Sequence, residues 1–193
     1  MAGGFTGLRK VPAEPAAALL DRAGLSLGTA LGAPPHASVA EVLTELWSQA
    51  AQGDVLRVLS AALPVREGVW WACLAARDRL PPGADATPCL EAAEAWVRAP
   101  GDETRRRAAE AVADVGPRDM TRFPALAALY SDGTIGTGDL AGHPAPKGAA
   151  RQMVLAANID AMCEAPDPHA HFRVLVARGV DIARGGNGRT GES

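Results

Sequence analysis

Aromatic residues are scarce in this sequence, at 4% of the chain, and alanine dominates its apolar part. Strand-forming residues do not alternate with polar ones over any useful length, so the pattern of a half-buried sheet is missing. Alanine has the highest helix propensity and allows helices to approach one another closely. The composition therefore predicts an all-α fold, and we expect an irregular bundle of about eight or nine helices with short hairpin loops.

The chain also lacks a strong charge of either sign, because its net charge is only −3 at pH 7. A general nucleic-acid binder needs a basic excess to neutralise phosphates, so this balance argues against that class. No apolar run approaches the roughly 20 residues of a membrane span, and the glycine-rich start has no apolar segment of a secretory signal. We expect a cytoplasmic protein whose partner is another protein, with no nucleic-acid or membrane partner.

Residues that bind metals or form disulfides are few. The three cysteines, Cys73, Cys89 and Cys163, are widely spaced within apolar helical patterns, where a free cysteine behaves as a small hydrophobe. His169 and His171 lie two positions apart and would point roughly 200° away from each other on a helix. No CxxC or HxxxH pair is present to begin a zinc site. We expect three buried structural thiols, no metal site and no cofactor.

Catalytic motifs are missing as well. The glycine-rich segment 131–147 lacks the GxxxxGK[ST] register and does not follow a strand, so we interpret it as a long surface loop. No serine has a GxSxG context. We therefore predict no catalytic residue and a protein that is not an enzyme.

Proline and glycine divide what is present into helices. We expect a flexible arm over residues 1–11, a single helical domain over 12–184 and a disordered tail over 185–193. Ser38, and Thr87 followed by a proline, are expected to begin helices as N-caps.

Two further helix starts are expected at aspartates. Asp54 follows a glycine that ends the preceding helix, and Asp102 follows a Pro–Gly break. In the helix after Asp102, the run 105–107 is entirely arginine. Acidic residues on the same helix neutralise this run, so we expect a solvated face.

The most informative segment is the helix expected over 65–79. Its residues 69–76 are apolar on every side, which is typical of a central buried helix. Trp70 and Trp71 point about 100° apart, so that if Trp71 lies in the core, Trp70 turns towards a margin. Arg66 lies four residues before Trp70 and shares its face.

Tryptophan is enriched at the centres of protein interfaces. We therefore take Arg66, Glu67, Trp70 and Trp96 as candidate partner-binding residues. The alternative is that Trp70, Trp71 and Trp96 all serve core packing.

Three segments of the sequence carry a family resemblance. Residues 66–77 hold the double tryptophan, residues 90–97 precede Pro100 and the arginines at 105–107, and residues 179–185 close the helical part. Over roughly residues 60–185, the chain resembles a family of small uncharacterised all-α bacterial proteins, classed as a domain of unknown function and found among type VI secretion genes. The resemblance implies an accessory role. It assigns no catalytic residues, so none is carried over.

Three functional hypotheses follow. The first is a non-enzymatic adaptor or chaperone that binds another protein, in type VI secretion assembly or effector loading. The second is an immunity protein that occludes a toxin, since small acidic helical proteins often do this. The third is a small hydrolase-like enzyme using His143 or His169.

Overall fold

The computed structural model describes residues 4–189. Within that range the chain is all-helical, with nine α-helices, one short 3-10 helix and no strand, as the composition predicted. No helix in this range is long and apolar enough to cross a membrane. The helices are α1 (Ala16–Arg22), α2 (Val39–Ser48), α3 (Gln52–Ala62), α4 (Val65–Arg77), α5 (Pro88–Arg98), α6 (Asp102–Ala113), α7 (Arg122–Leu129), α8 (Ala149–Cys163) and α9 (Pro168–Arg184).

Two of the predicted helix caps are present. The Ser38 side chain accepts a hydrogen bond from the backbone N–H of Glu41, whose carboxylate accepts one in return, forming a capping box. Thr87 caps α5 by accepting from the backbone N–H of Leu90. Each cap satisfies an N–H group that has no partner within its own helix.

The two aspartate caps were predicted wrongly. Asp102 is the first residue of α6, and Gly101 precedes it. α3 begins at Gln52, and Asp54 lies buried in its first turn. The Asp54 carboxylate instead accepts hydrogen bonds from the backbone N–H groups of Gly28 and Thr29, the latter at 2.8 Å. Asp54 therefore fixes the loop before α2 instead of starting a helix.

Helix α4 lies at the centre, packed against α5, α7, α8 and α9. Every residue from 69 to 76 is buried except Trp70. Trp71 is fully buried, and its Nε1 donates a hydrogen bond to the carbonyl of Leu175 in α9 at 2.9 Å. Gly179 allows α9 to approach, because a Cβ there would lie 3.2 Å from Cε2 of Trp71.

The N-terminal segment, expected to be a flexible arm over 1–11, packs on the domain from residue 4 onwards. Phe5 is buried and meets Trp47 of α2 edge-to-face, with ring centroids 5.9 Å apart. The backbone N–H of Lys10 donates to the carbonyl of Ala183 at 2.9 Å. No local pattern in the sequence indicates this contact, because the partners lie far along the chain. Residues 1–3 lie outside the described range.

Arg105 was expected on a solvated face with its two neighbours, but it is 3% exposed. Its guanidinium donates to the carbonyl of Leu129 at 3.0 Å, to Thr134 Oγ1 at 2.8 Å and to the carboxylate of Asp132. Arg105 therefore holds the base of the 131–147 loop. Arg106 and Arg107 do lie exposed and pair with acidic residues of α6.

The prediction that all three cysteines are buried is correct for two of them. Cys73 and Cys89 are buried as expected, and burial raises the pKa of the Cys89 thiol to about 11. Cys163 is exposed, contrary to the prediction. It is the last residue of α8, where the helix ends in solvent.

Candidate functional site

A groove of about 420 Å³ opens beside Trp70, at the edge of the bundle. We call it the Trp70 groove. It lies between α4, the end of α5 and the segment that follows α9. Its lining includes Arg66, Glu67 and Trp70 from α4, Glu94, Val97 and Arg98 from α5, Lys10 from the N-terminal segment, and Asn187 and Arg189 after α9.

Trp70 is the only aromatic residue in this lining and is half-buried. Its Nε1 donates a hydrogen bond to the carbonyl of Asn187 at 2.7 Å. The guanidinium carbon of Arg189 lies 5.6 Å from the ring centroid, within the range of a cation–π interaction. The indole is therefore oriented at both its polar edge and one face.

Residues 186–189, which we call the C-terminal strap, form one wall of the groove. α9 ends at Arg184, and Gly185 after it has a φ of 102°, in the left-handed region, which turns the chain. The Asp181 carboxylate then accepts a hydrogen bond from the backbone N–H of Gly188 at 2.8 Å. Gly188 itself is buried, and a Cβ there would lie 2.8 Å from methyl carbons of Leu74 and Ile182. This part of the tail, expected to be disordered over 185–193, is thus fixed by close packing. Residues 190–193 lie outside the described range.

The charged side chains around the groove differ in how closely each approaches a side chain of opposite charge. Lys10 pairs with Glu67 at 2.7 Å. Glu94 accepts two hydrogen bonds from Arg77, at 2.6 and 2.8 Å. The carboxylate of Glu94 raises the pKa of the Arg77 guanidinium by this hydrogen bonding. Arg98 approaches Glu94 only to 3.9 Å.

Two arginines of the groove have no carboxylate partner within 4.0 Å in the part of the chain that the structure describes, Arg66 and Arg189. Arg66 uses its Nε to donate to the carbonyl of Val97 at 2.7 Å, which leaves its terminal nitrogens available. Among residues 4–189, the guanidinium of Arg189 contacts the Trp70 ring. The groove therefore carries more positive than negative charge.

The structure brings together three of the four predicted site residues. Arg66, Glu67 and Trp70 line the Trp70 groove. Trp96 does not, because it is 5% exposed and belongs to the core. It shares the buried face of α5 with Cys89 and Ala93, which explains its burial.

Arg98 and Arg189 were not identified from the sequence. Arg98 lies four residues after the buried Glu94, a helical spacing that indicates an ion pair and offered a usable signal. Arg189 lies in a glycine-rich tail with no periodicity, where sequence patterns carry no signal.

The histidines lie elsewhere. His169 is exposed and its Nδ1 lies 2.8 Å from Nε2 of Gln52, while His143 is exposed in the 131–147 loop. His171 lies 3.3 Å from a carboxylate oxygen of Asp78, which also pairs with Arg178. Burial lowers the pKa of His171, and the nearby Asp78 partly offsets this. Across residues 4–189, no three His, Cys, Asp or Glu side chains are grouped as metal ligands would be.

Comparison with known proteins gives a family but no function. A family model described as "Family of unknown function (DUF6931)" matches residues 42–183, well over half of the chain. The match extends from within α2 to the last turn of α9, and it includes Arg66, Glu67 and Trp70. No curated protein and no solved structure matches the chain.

Proposed function

The chain belongs to this family of unknown function, DUF6931, and we propose that it is a non-enzymatic adaptor or chaperone that binds another protein through the Trp70 groove. The observation that supports the proposal is the placement of Trp70. Its half-buried indole shares a groove with Arg66, whose terminal nitrogens are available. Tryptophan and arginine are enriched among the residues that contribute most to protein association.

The structure of the groove limits the entropy that binding costs. Trp70 is held by its hydrogen bond to Asn187, and Arg66 is held by its bond to Val97. Side chains that are already oriented lose little conformational freedom on association. A groove of about 420 Å³ fits a few side chains of a partner segment.

The setting that we propose is the cytoplasm, in type VI secretion assembly or effector loading. The type VI setting is what the resemblance over roughly residues 60–185 implies. A second candidate is an immunity protein, which would use the same groove to occlude a toxin. The two candidates differ in the partner and not in the groove.

Photo-crosslinking tests the proposal. A photoreactive amino acid replaces Val97 in the groove or, as the matched control, Val174 on the outer face of α9, which is 40% exposed. We expect a crosslinked partner protein from position 97 and none from position 174, and we expect Trp70→Ala to abolish the product.

The identity of the crosslinked protein distinguishes the candidates. Structural secretion components or effectors support the adaptor, and one toxin domain supports the immunity protein. Equal crosslinking from both positions, or a product that Trp70→Ala leaves unchanged, contradicts the role of the groove.

A further inference from the structure

We infer that the Trp70 groove recognises an acidic segment of its partner, in which one or more Asp or Glu side chains flank an apolar one. This inference rests on the proposed function and specifies the chemistry of the partner. It follows from the charge and the geometry of the groove together.

Cationic side chains outnumber carboxylates in the lining of the groove. Four cationic side chains line it, Lys10, Arg66, Arg98 and Arg189. The carboxylates among its lining residues are Glu67 and Glu94, and Glu94 already receives two hydrogen bonds from Arg77. The excess charge is positive, although the chain as a whole carries −3. A local reversal of sign attracts an acidic partner and repels basic ones.

The two arginines that have no carboxylate partner among the described residues lie on either side of Trp70. Arg66 and Trp70 lie one helical turn apart on α4, and Arg189 lies against the Trp70 ring at 5.6 Å. The arginines therefore flank the indole. An arginine fork binds a carboxylate through two parallel hydrogen bonds, and both terminal nitrogens of Arg66 are available for this.

Apolar side chains form the floor of the groove. Trp70, Val97 and Ile182 line the same groove. A carboxylate seated on Arg66 would place the neighbouring side chain of an extended segment against this floor. An aliphatic or aromatic side chain there would be removed from water, and the acidic residues on either side would meet cations.

Peptide selection tests the inference without knowledge of the partner. The full chain is immobilised and exposed to a phage library of short random peptides, with the Trp70→Ala protein as the competitor that removes peptides bound elsewhere. We expect enrichment of peptides in which Asp or Glu flank an apolar residue. Enrichment of uncharged or basic peptides, or the absence of any enriched sequence, overturns the inference.

Binding of the enriched peptide is then measured by fluorescence anisotropy. We expect Arg66→Glu and Arg189→Glu each to weaken binding by about tenfold or more, and Arg66→Lys to weaken it less because the charge remains without the fork. Arg173→Glu, an exposed change on α9, is the matched control and should bind as the wild type does. Thermal melting of each variant confirms that it is folded. Charge reversals at 66 and 189 without effect overturn the inference.

Two further measurements test other occupants of the groove. A single-stranded oligonucleotide that binds the groove more tightly than the peptide would overturn the inference in favour of phosphate recognition. A dimer in sedimentation that Arg66→Glu disperses would overturn it in favour of a second copy of the chain.

If the groove selects peptides that are not acidic but still require Trp70, the inference fails and the proposed function stands. If crosslinking from position 97 fails, the proposed function itself fails.

Discussion

The two faces of α4 carry adjacent tryptophans with opposite surroundings. Trp71 is fully buried and donates its Nε1 to the carbonyl of Leu175, within α9. Trp70 is half-buried and donates its Nε1 to the carbonyl of Asn187, in the C-terminal strap beyond α9. Both indoles therefore depend on the same end of the chain. One acceptor belongs to a packed helix, and the other belongs to a short turn held by Asp181.

This difference shows how one helix can serve two purposes. Because adjacent positions on a helix point about 100° apart, a single dipeptide supplies both a core residue and a groove residue. On the core face, Gly179 lets α9 pack closely against Trp71. On the groove face, cationic side chains surround Trp70. Four experiments compare the two faces, from the largest expected effect to the smallest.

Removing each indole should give the largest contrast. We expect Trp71→Ala to lower the free energy of unfolding by about 3–5 kcal/mol, since it empties a core position. Trp70→Ala should cost only about 1–2 kcal/mol, because part of the ring already contacts solvent. Chemical denaturation of both variants measures the difference. Equal losses would mean that the two faces are equally part of the core.

Adding a methyl group at Gly179 tests how tightly the core face is closed. A Cβ there would lie 3.2 Å from Cε2 and 3.3 Å from Cζ2 of Trp71. We expect Gly179→Ala to cost about 1–3 kcal/mol, the usual penalty for overpacking. Gly101→Ala, where a Cβ meets no atom within 4 Å, is the control. If the two variants melt alike, the contact between α4 and α9 is looser than described.

Loosening the strap should affect the groove face alone. Asp181→Ala removes the acceptor for the backbone N–H of Gly188, and we expect a loss of about 0.5–1.5 kcal/mol. Hydrogen exchange should accelerate at residues 186–189 and remain slow in α4. Asp139→Ala, in the exposed 3-10 helix Gly138–Gly142, is the control. Acceleration throughout α4 would show that the strap supports the core as well.

The smallest expected effect is on the pH dependence of stability, through His171 near the start of α9, which lies close to Asp78 after the end of α4. His171 faces Asp78 and Arg178, and burial lowers its pKa. The unfolded chain therefore takes up a proton first as the pH falls below about 6.5, the ordinary pKa of histidine, and stability decreases. We expect His171→Gln to flatten the pH dependence of the melting temperature below that value. His143→Gln, at an exposed position, should leave it as in the wild type, and a His171→Gln profile parallel to the wild type would exclude this linkage.

The sequence predicted the local features of the fold well. Ser38 and Thr87 cap helices where expected, and α4 is central because residues 69–76 are apolar all round. Capping and periodicity depend on residues within one or two turns, so a single sequence contains them. The division between Trp70 and Trp71 follows from the same helical geometry.

The features that sequence reasoning missed depend on distant partners. Asp54 binds Gly28 and Thr29 instead of its own helix. Arg105 binds Asp132 and Thr134 across the loop that it anchors. Arg105 does share a helical face with Ala108, and that spacing could have indicated an inward position. The tail and its Arg189 gave no signal, because a strap without periodicity is fixed only by what it packs against.

The dependence on α9 has a consequence for synthesis on the ribosome. Trp47 stacks on Phe172 with ring centroids 5.5 Å apart, and the indoles of Trp71 and Trp70 donate to the carbonyls of Leu175 and Asn187. These partners belong to α9 or follow it, so they are translated long after α2 and α4, the helices that carry the three tryptophans. Until α9 emerges, a nascent chain holds these three tryptophans without these contacts, and exposed apolar surface at that stage favours aggregation or capture by chaperones. A premature stop before Pro168 would leave all three indoles without these partners, and such fragments should be degraded instead of accumulating.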